Sequence, residues 1–124
     1  MYLLDTNILI YILKAEQSVL KFLGTLRVDR FAISIVSRLE FLDGLKDEIF
    51  LTKEIQDYLD LFENIVLDKE ITREAALLSF RASKKVKFKD LIIAATAIFT
   101  GKTLVTVDKG FKKFPGLKLR LLNL

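Results

Sequence analysis

After Met1 the chain reads Tyr2-Leu3-Leu4-Asp5-Thr6-Asn7-Ile8-Leu9-Ile10-Tyr11-Ile12-Leu13, and the change of character at Asp5 decides the fold. Tyr2–Leu4 is a short apolar run that ends at an acid, which reads as a buried strand. Ile8–Leu13 is apolar and compatible with a helix. Asp5 or Thr6 can cap such a helix by accepting a hydrogen bond from one of its free amides.

The same alternation continues along the chain. A second short helix is expected over Glu16–Leu26 and a strand over Phe31–Ser34. Ser34 or Ile35 begins a third helix that runs towards Asp47. Leu51, Ile55, Leu59 and Phe62 recur at helical spacing, so Leu51–Glu63 reads as a helix. Ile65–Leu67 reads as a third strand, and Thr72 with Ala75-Ala76-Leu77-Leu78 marks a helix through about Ser83. Lys84, Lys85, Lys87 and Lys89 then form a basic loop. Asp90 precedes the strongest helix, Leu91–Thr100, which Gly101 closes as a C-cap. Thr103–Val107 and Leu117–Leu122 read as the last strands, separated by a loop through Pro115-Gly116. Alternating strands and helices predict an α/β fold, a three-layer α/β/α sandwich with a central parallel sheet. The 124 residues suit one domain spanning 1–124, with no internal repeat or low-complexity segment.

Composition narrows the chemistry. About half the residues (52%) are apolar, enough for a full core, and 29% are charged. There is no Cys, which excludes disulfides, thiol nucleophiles and Cys-based zinc sites, and fits a reducing cytoplasm. There is no His either, which excludes imidazole acid–base chemistry, His metal ligands and Ser-His-Asp triads. An enzyme of this composition must work through carboxylates, Lys, Tyr or a bound metal. The N-terminus lacks the basic and apolar regions of a secretory signal, and Leu91–Phe99 is too short to span a bilayer, so no membrane association is expected. Charge is unevenly distributed. Residues 1–80 carry a net −5 and residues 81–124 a net +9. A basic half suits a polyanionic partner such as nucleic acid.

Parallel α/β sheets bind ligands at the carboxyl ends of their strands. Asp5 falls at the end of the first strand, Asp108 just after Thr103–Val107, and Asp90 at the start of a helix. Glu40 lies about one and a half turns into the third helix, with Ser37 on the same face three residues earlier. Each acid alone has an ordinary explanation: Asp5 and Asp90 as helix caps, Glu40 and Asp108 as solvated surface charge. Together they suggest a shared site. Four clustered carboxylates repel one another and raise each other's pKa, a conflict that a divalent cation resolves. Mg²⁺ takes oxygen ligands, retains waters, and supports phosphodiester hydrolysis without His.

Four segments, in order and spacing, resemble the PIN-domain ribonucleases, and within them the VapC-type toxins of prokaryotic toxin–antitoxin pairs. They are Leu3-Leu4-Asp5-Thr6-Asn7-Ile8-Leu9-Ile10; Ser34-Ile35-Val36-Ser37-Arg38-Leu39-Glu40-Phe41-Leu42-Asp43-Gly44; Asp90-Leu91-Ile92-Ile93-Ala94-Ala95-Thr96-Ala97; and Leu104-Val105-Thr106-Val107-Asp108, followed by Phe111, Pro115-Gly116 and Leu117. The resemblance implies a Mg²⁺- or Mn²⁺-dependent endoribonuclease with Asp5, Glu40, Asp90 and Asp108 as metal-binding acids. It implies Thr6, Asn7, Ser37 and Thr106 as groups that orient them. It also implies a cognate antitoxin and a homodimer. Lys84, Lys85, Lys87 and Lys89, beside the cleft, are expected to hold RNA phosphates; the alternative is a solvated loop. Two positions depart from the family pattern. Val107 stands where many relatives have a polar or basic residue, and Gly110 where many have another acid. Asp108 is therefore expected to reach a metal through water or to act through its charge. Asp43, one turn after Glu40, is a solvated acid on this reading.

Three other readings meet specific obstacles. A receiver-like domain needs an acidic pair near the start, and Asp5 stands alone after its strand. A haloacid-dehalogenase-like phosphatase needs a second Asp two residues on, where this chain has Asn7. A PIN-like fold that binds RNA or protein without catalysis is opposed by the intact acids.

Overall fold

Successive residues of each central strand are buried on opposite faces of a single sheet and build two cores. The structure, a computed structural model, describes residues 1–45, 48, 52–82 and 85–124. Its strands are β1 (Tyr2–Leu4), β2 (Ala32–Ser34), β3 (Glu63–Ile65), β4 (Thr103–Thr106) and β5 (Leu119–Leu121). Its helices are α1 (Thr6–Leu13), α2 (Gln17–Thr25), α3 (Ile35–Leu45), α4 (Lys53–Asp60), α5 (Lys69–Arg81) and α6 (Phe88–Thr100). A short 3-10 segment, Lys109–Lys113, follows β4. Leu3, Ala32 and Leu104 pack with Ile71, Ala75 and Leu78 of α5 and with Leu91, Ala94 and Ala95 of α6. Their neighbours Leu4, Ile33 and Val105 pack on the opposite face with Ile8 and Leu9 of α1, Val19 and Leu23 of α2, Phe41 of α3 and Leu59 of α4. This is the predicted three-layer α/β/α sandwich, built on the two-residue period of its strands.

The sheet has five strands in the order β3-β2-β1-β4-β5, and every neighbouring pair is parallel. The chain runs outward from β1 through β2 to β3, then returns to the other side of β1 as β4 and β5. Strand order therefore reverses between β1 and β4, where such sheets open a crevice at their carboxyl ends. Leu4 pairs with Val105 in register, and the Asp5 amide donates to the Val105 carbonyl at 3.0 Å. Asp5 and Thr106 thus arrive at the same level of the sheet.

Several element boundaries differ from the sequence reading. The third strand is Glu63–Ile65, two residues earlier than Ile65–Leu67. The Arg30 guanidinium donates to the Leu61, Asp60 and Phe62 carbonyls, and Asn64 donates back to Leu59 and Phe62, fixing the chain just ahead of this edge strand. Val66, apolar yet 62% exposed, has already left the sheet. Helix α4 stops at Asp60 because Glu63 is needed in the strand, and Thr52 caps its start. Helix α5 begins at Lys69, capped by Asp68, so Thr72 is an interior residue whose hydroxyl bonds the Lys69 carbonyl. Helix α6 begins at Phe88, which places Asp90 inside its first turn. Gly101 closes it in the left-handed region at φ 69°. Asp47, Leu51, Ser83 and Lys84 lie outside the described residues.

Candidate active site

Asp5 is the N-cap of α1 and is buried at the β1–β4 junction. Its Oδ1 accepts from the Thr6 amide at 2.8 Å, and its Oδ2 accepts from the Thr106 hydroxyl at 2.6 Å. The Thr106 oxygen in turn accepts from the Asp108 amide at 3.0 Å, tying the first acid to the backbone of the fourth. Burial disfavours the ionised carboxylate and pushes the Asp5 pKa up to about 6. The bonds from Thr106 and Thr6 oppose that rise, while the charges of Glu40 and Asp90 add to it.

Glu40 reaches the same junction from α3. The Thr6 hydroxyl donates to its Oε1 at 2.8 Å, and the Lys89 ammonium lies 3.6 Å from its Oε2. A continuous polar chain therefore runs from the Asp108 amide through Thr106, Asp5 and Thr6 to Glu40 and Lys89. Arg38, two residues before Glu40, donates to Asp60 at 2.8 Å, Asn64 at 2.9 Å and Gln56 at 2.7 Å. Those bonds fasten α3 to α4 and β3 and so fix the helix that carries Glu40.

Asp90 approaches from α6. It caps no amide of that helix, contrary to the expectation from sequence, because the N-cap position falls to Lys87. Burial raises its pKa, the Asp108 and Glu40 charges raise it further, and Lys113 and Lys87 pull it back. The four acids thus interact electrically: Asp5 with Glu40 and Asp90, and Asp90 with Glu40 and Asp108. Asp108 is exposed, and its Oδ1 accepts from the Gly110 amide at 2.8 Å, capping the 3-10 segment. A Cβ at position 110 would lie 3.0 Å from that oxygen. An acid there would set a further negative charge beside Asp108.

The PIN domain family matches residues 2–117, a span that includes all four acids. The chain belongs to the PIN domain family. Its fold is also that of solved toxin–antitoxin structures. VapBC2 from Rickettsia felis, bound to a DNA fragment from its promoter, is similar at 27% identity and TM-score 0.78, covering 98% of both chains. A toxin–antitoxin complex from Klebsiella pneumoniae is similar at 27% identity and TM-score 0.79, covering 94% of this chain and 95% of that one. DNA-bound VapBC from Salmonella typhimurium shares the fold at 22% identity and TM-score 0.81, covering 96% of each. No match is found among curated protein sequences.

Not every candidate of this PIN domain joins the polar chain. Thr6 and Thr106 bond directly to acids. Ser37 is buried, and its hydroxyl has no hydrogen-bond partner among the described residues. Asn7 is exposed, with no hydrogen bond to any of the four acids, and Asp43 is exposed on α3. Of the lysines, Lys85 and Lys87 are exposed, whereas Lys89 is engaged by Glu40. Sequence reading missed Lys113 and Arg38. Lys113 lies five residues after Asp108 in a Lys-rich run, and an acid-balancing charge was there to be found.

The donor set consists of carboxylates and hydroxyls, which suits a hard divalent cation such as Mg²⁺ or Mn²⁺. The raised pKa values of Asp5 and Asp90 point the same way, since a cation would relieve the repulsion that contributes to them. Among the described residues, however, no three acidic side chains stand close enough to enclose an ion. Asp5 is held by Thr6 and Thr106, Glu40 by Thr6 and Lys89, and Asp108 by Gly110. The residues fit a cation in kind and in charge, and holding one would require side-chain rotation.

Proposed function

We propose that this PIN domain is a divalent-metal-dependent endoribonuclease and the toxin of a type II toxin–antitoxin pair. The observation that carries this reading is the polar chain at the strand-order reversal, which joins Asp5 to Glu40, with Asp90 acting electrostatically on both and Asp108 on Asp90. Asp5, Glu40 and Asp90 would hold Mg²⁺ or Mn²⁺, with Asp108, exposed and turned to Gly110, acting through water or charge. The ion would supply an activated water and neutralise charge on the scissile phosphate. Thr6 and Thr106 orient the acids by donating to them. Ser37 and Asn7 lie within the motifs as candidate orienting groups without a bond to the acids among the described residues. Lys84, Lys85 and Lys87, in the half of the chain with net +9, are the candidates for phosphate contact.

The toxin assignment rests on the kinship with solved toxin–antitoxin complexes, and implies a cognate antitoxin as partner. A homodimer is supported by large apolar side chains left uncovered on α5 and α6. Phe80 is 92% exposed and Phe88 80%, with Leu77 and Phe99 also exposed. The reducing cytoplasm suits a chain without Cys, and among the described residues no helix is long and apolar enough to cross a membrane.

Asp5→Asn tests the nuclease reading. The amide keeps an oxygen for the α1 cap but binds a cation poorly. Cleavage of a generic RNA in Mg²⁺ or Mn²⁺ should fall by at least about a hundredfold, as when a group acting on the transition state is removed. The circular dichroism spectrum should be unchanged. Undiminished cleavage, from protein cleared of host nuclease, would refute the assignment. RNA binding without cleavage in the wild type would favour a non-catalytic PIN domain.

A further inference from the structure

Lys89 occupies an awkward place. It lies in the first turn of α6, where the helix presents its positive end and a cation is disfavoured. Helix stability therefore does not explain it. Its ammonium lies 3.6 Å from Glu40 Oε2, while Thr6 engages Oε1 at 2.8 Å. Both oxygens of this carboxylate are thus taken. The other ion pairs among the described residues, Arg38–Asp60 and Lys53–Asp57, involve none of the four acids. Among the described residues, Lys89 alone forms an ion pair with one of them, joining α6 to α3 directly beside Asp90.

We propose that Lys89 is a built-in counter-ion of the acidic site: it neutralises Glu40 in the metal-free protein and must release Glu40 when a divalent cation binds. This rests on the metal-site reading above. Lys89 is then a positioning residue that sets metal affinity, because every binding event displaces its ammonium and leaves it near the incoming charge. The side chain is 65% exposed, and Glu40 is 25% exposed. Release into solvent is therefore unobstructed. The pair acts as a latch that the metal opens.

Solvent screening limits the effect. Two charges on the ion and one on Lys89, several ångströms apart in a mostly aqueous setting, correspond to about a three- to tenfold change in affinity. Mn²⁺ binding to the full chain, measured by calorimetry without RNA, tests the proposal. Lys89→Gln should bind Mn²⁺ about three to ten times more tightly than the wild type. Metal-free Lys89→Gln should melt at a lower temperature, and the gap should close at saturating Mn²⁺. Lys89→Arg should behave as the wild type in both measurements. A residue with only a structural role would not tighten metal binding when removed. Equal or weaker Mn²⁺ binding by Lys89→Gln, alongside measurable binding by the wild type, overturns the counter-ion role and leaves the metal site standing. No Mn²⁺ binding by either protein overturns both.

Discussion

The two corners of the acidic site are built on different principles. At the β1–β4 corner, Asp5 is buried and held by two short hydrogen bonds, from Thr6 and Thr106. At the start of α6, Asp90 is only partly buried, makes no hydrogen bond to the helix, and is balanced by the charges of Lys113 and Lys87. Geometry governs the first corner and charge the second. A buried carboxylate must be hydrogen-bonded or it destabilises the fold, so its position is tightly specified. A half-exposed carboxylate can rely on mobile lysines, so its position is free to respond to an incoming cation.

The largest expected effect belongs to the buried corner. Asp5 titrates near 6 in the fold against an ordinary 3.8. Between about pH 4 and 6 the folded protein holds a proton that the unfolded chain has released. Stability therefore falls as pH rises through that window, and the loss persists above it. The shift corresponds to roughly 3 kcal/mol of penalty at pH 8 without metal. Asp5→Asn removes that penalty but disturbs the bond from Thr106, so a net gain of about 1–2 kcal/mol at pH 8 is expected. Near pH 4.5 the gain should vanish. Urea unfolding of both proteins with chelator present, at the two pH values, measures it directly. Identical pH dependence would mean that Asp5 is not desolvated as described. The variant expected to lose cleavage should thus be the more stable protein, as where burial of a charged group is kept at the cost of stability.

A smaller effect tests the hydrogen bonds themselves. Thr106→Val keeps the shape of the side chain but removes the donor to Asp5 and the acceptor for the Asp108 amide. The cost should be about 2 kcal/mol, the usual range for a buried partner lost from a charged group. The Asp5 pKa should rise further, because Thr106 supplies the larger of the two bonds that hold it down. Thr106→Ser should restore most of the loss. If valine is tolerated without cost, hydrogen bonding does not govern this corner.

How much of this was legible from sequence follows from the same contrast. The central strands were readable because β1 and β4 are buried on both faces and show as unbroken apolar runs. The edge strand β3 was misplaced because apolar Val66 and Leu67 lie past its end and are exposed. Helix α6 starts earlier than its apolar run suggests, so Asp90 looked like a cap and is instead a free carboxylate. Thr106 was legible only through the resemblance of Leu104–Asp108 to a family motif. The bond between Thr6 and Glu40, 34 residues apart, was not, nor was the engagement of Lys89 by Glu40. Spacing along one helix tells which side chains share a face. It does not tell what the packing of two helices sets against that face. Ser37 shows the same limit: it shares α3 with Glu40, yet its buried hydroxyl meets no partner among the described residues.

The smallest expected effect lies at the charge-balanced corner. Lys113 is partly exposed, and its ammonium also sits 5.8 Å from the centre of the Phe114 ring. Lys113→Gln should therefore cost less than about 1 kcal/mol, from the lost cation–π contact and a screened charge. Its signature is electrical: the Asp90 carboxyl, followed by ¹³C NMR, should titrate at higher pH, while Asp5 stays where it is. Salt sharpens the comparison. At 1 M salt the Debye length is about 3 Å, so the difference between Lys113→Gln and wild type at Asp90 should largely disappear. The Asp5 titration should persist at that salt, because desolvation and short hydrogen bonds are not screened by ions in solution. A salt-sensitive Asp5 together with a salt-insensitive Asp90 would reverse the assignment of the two corners.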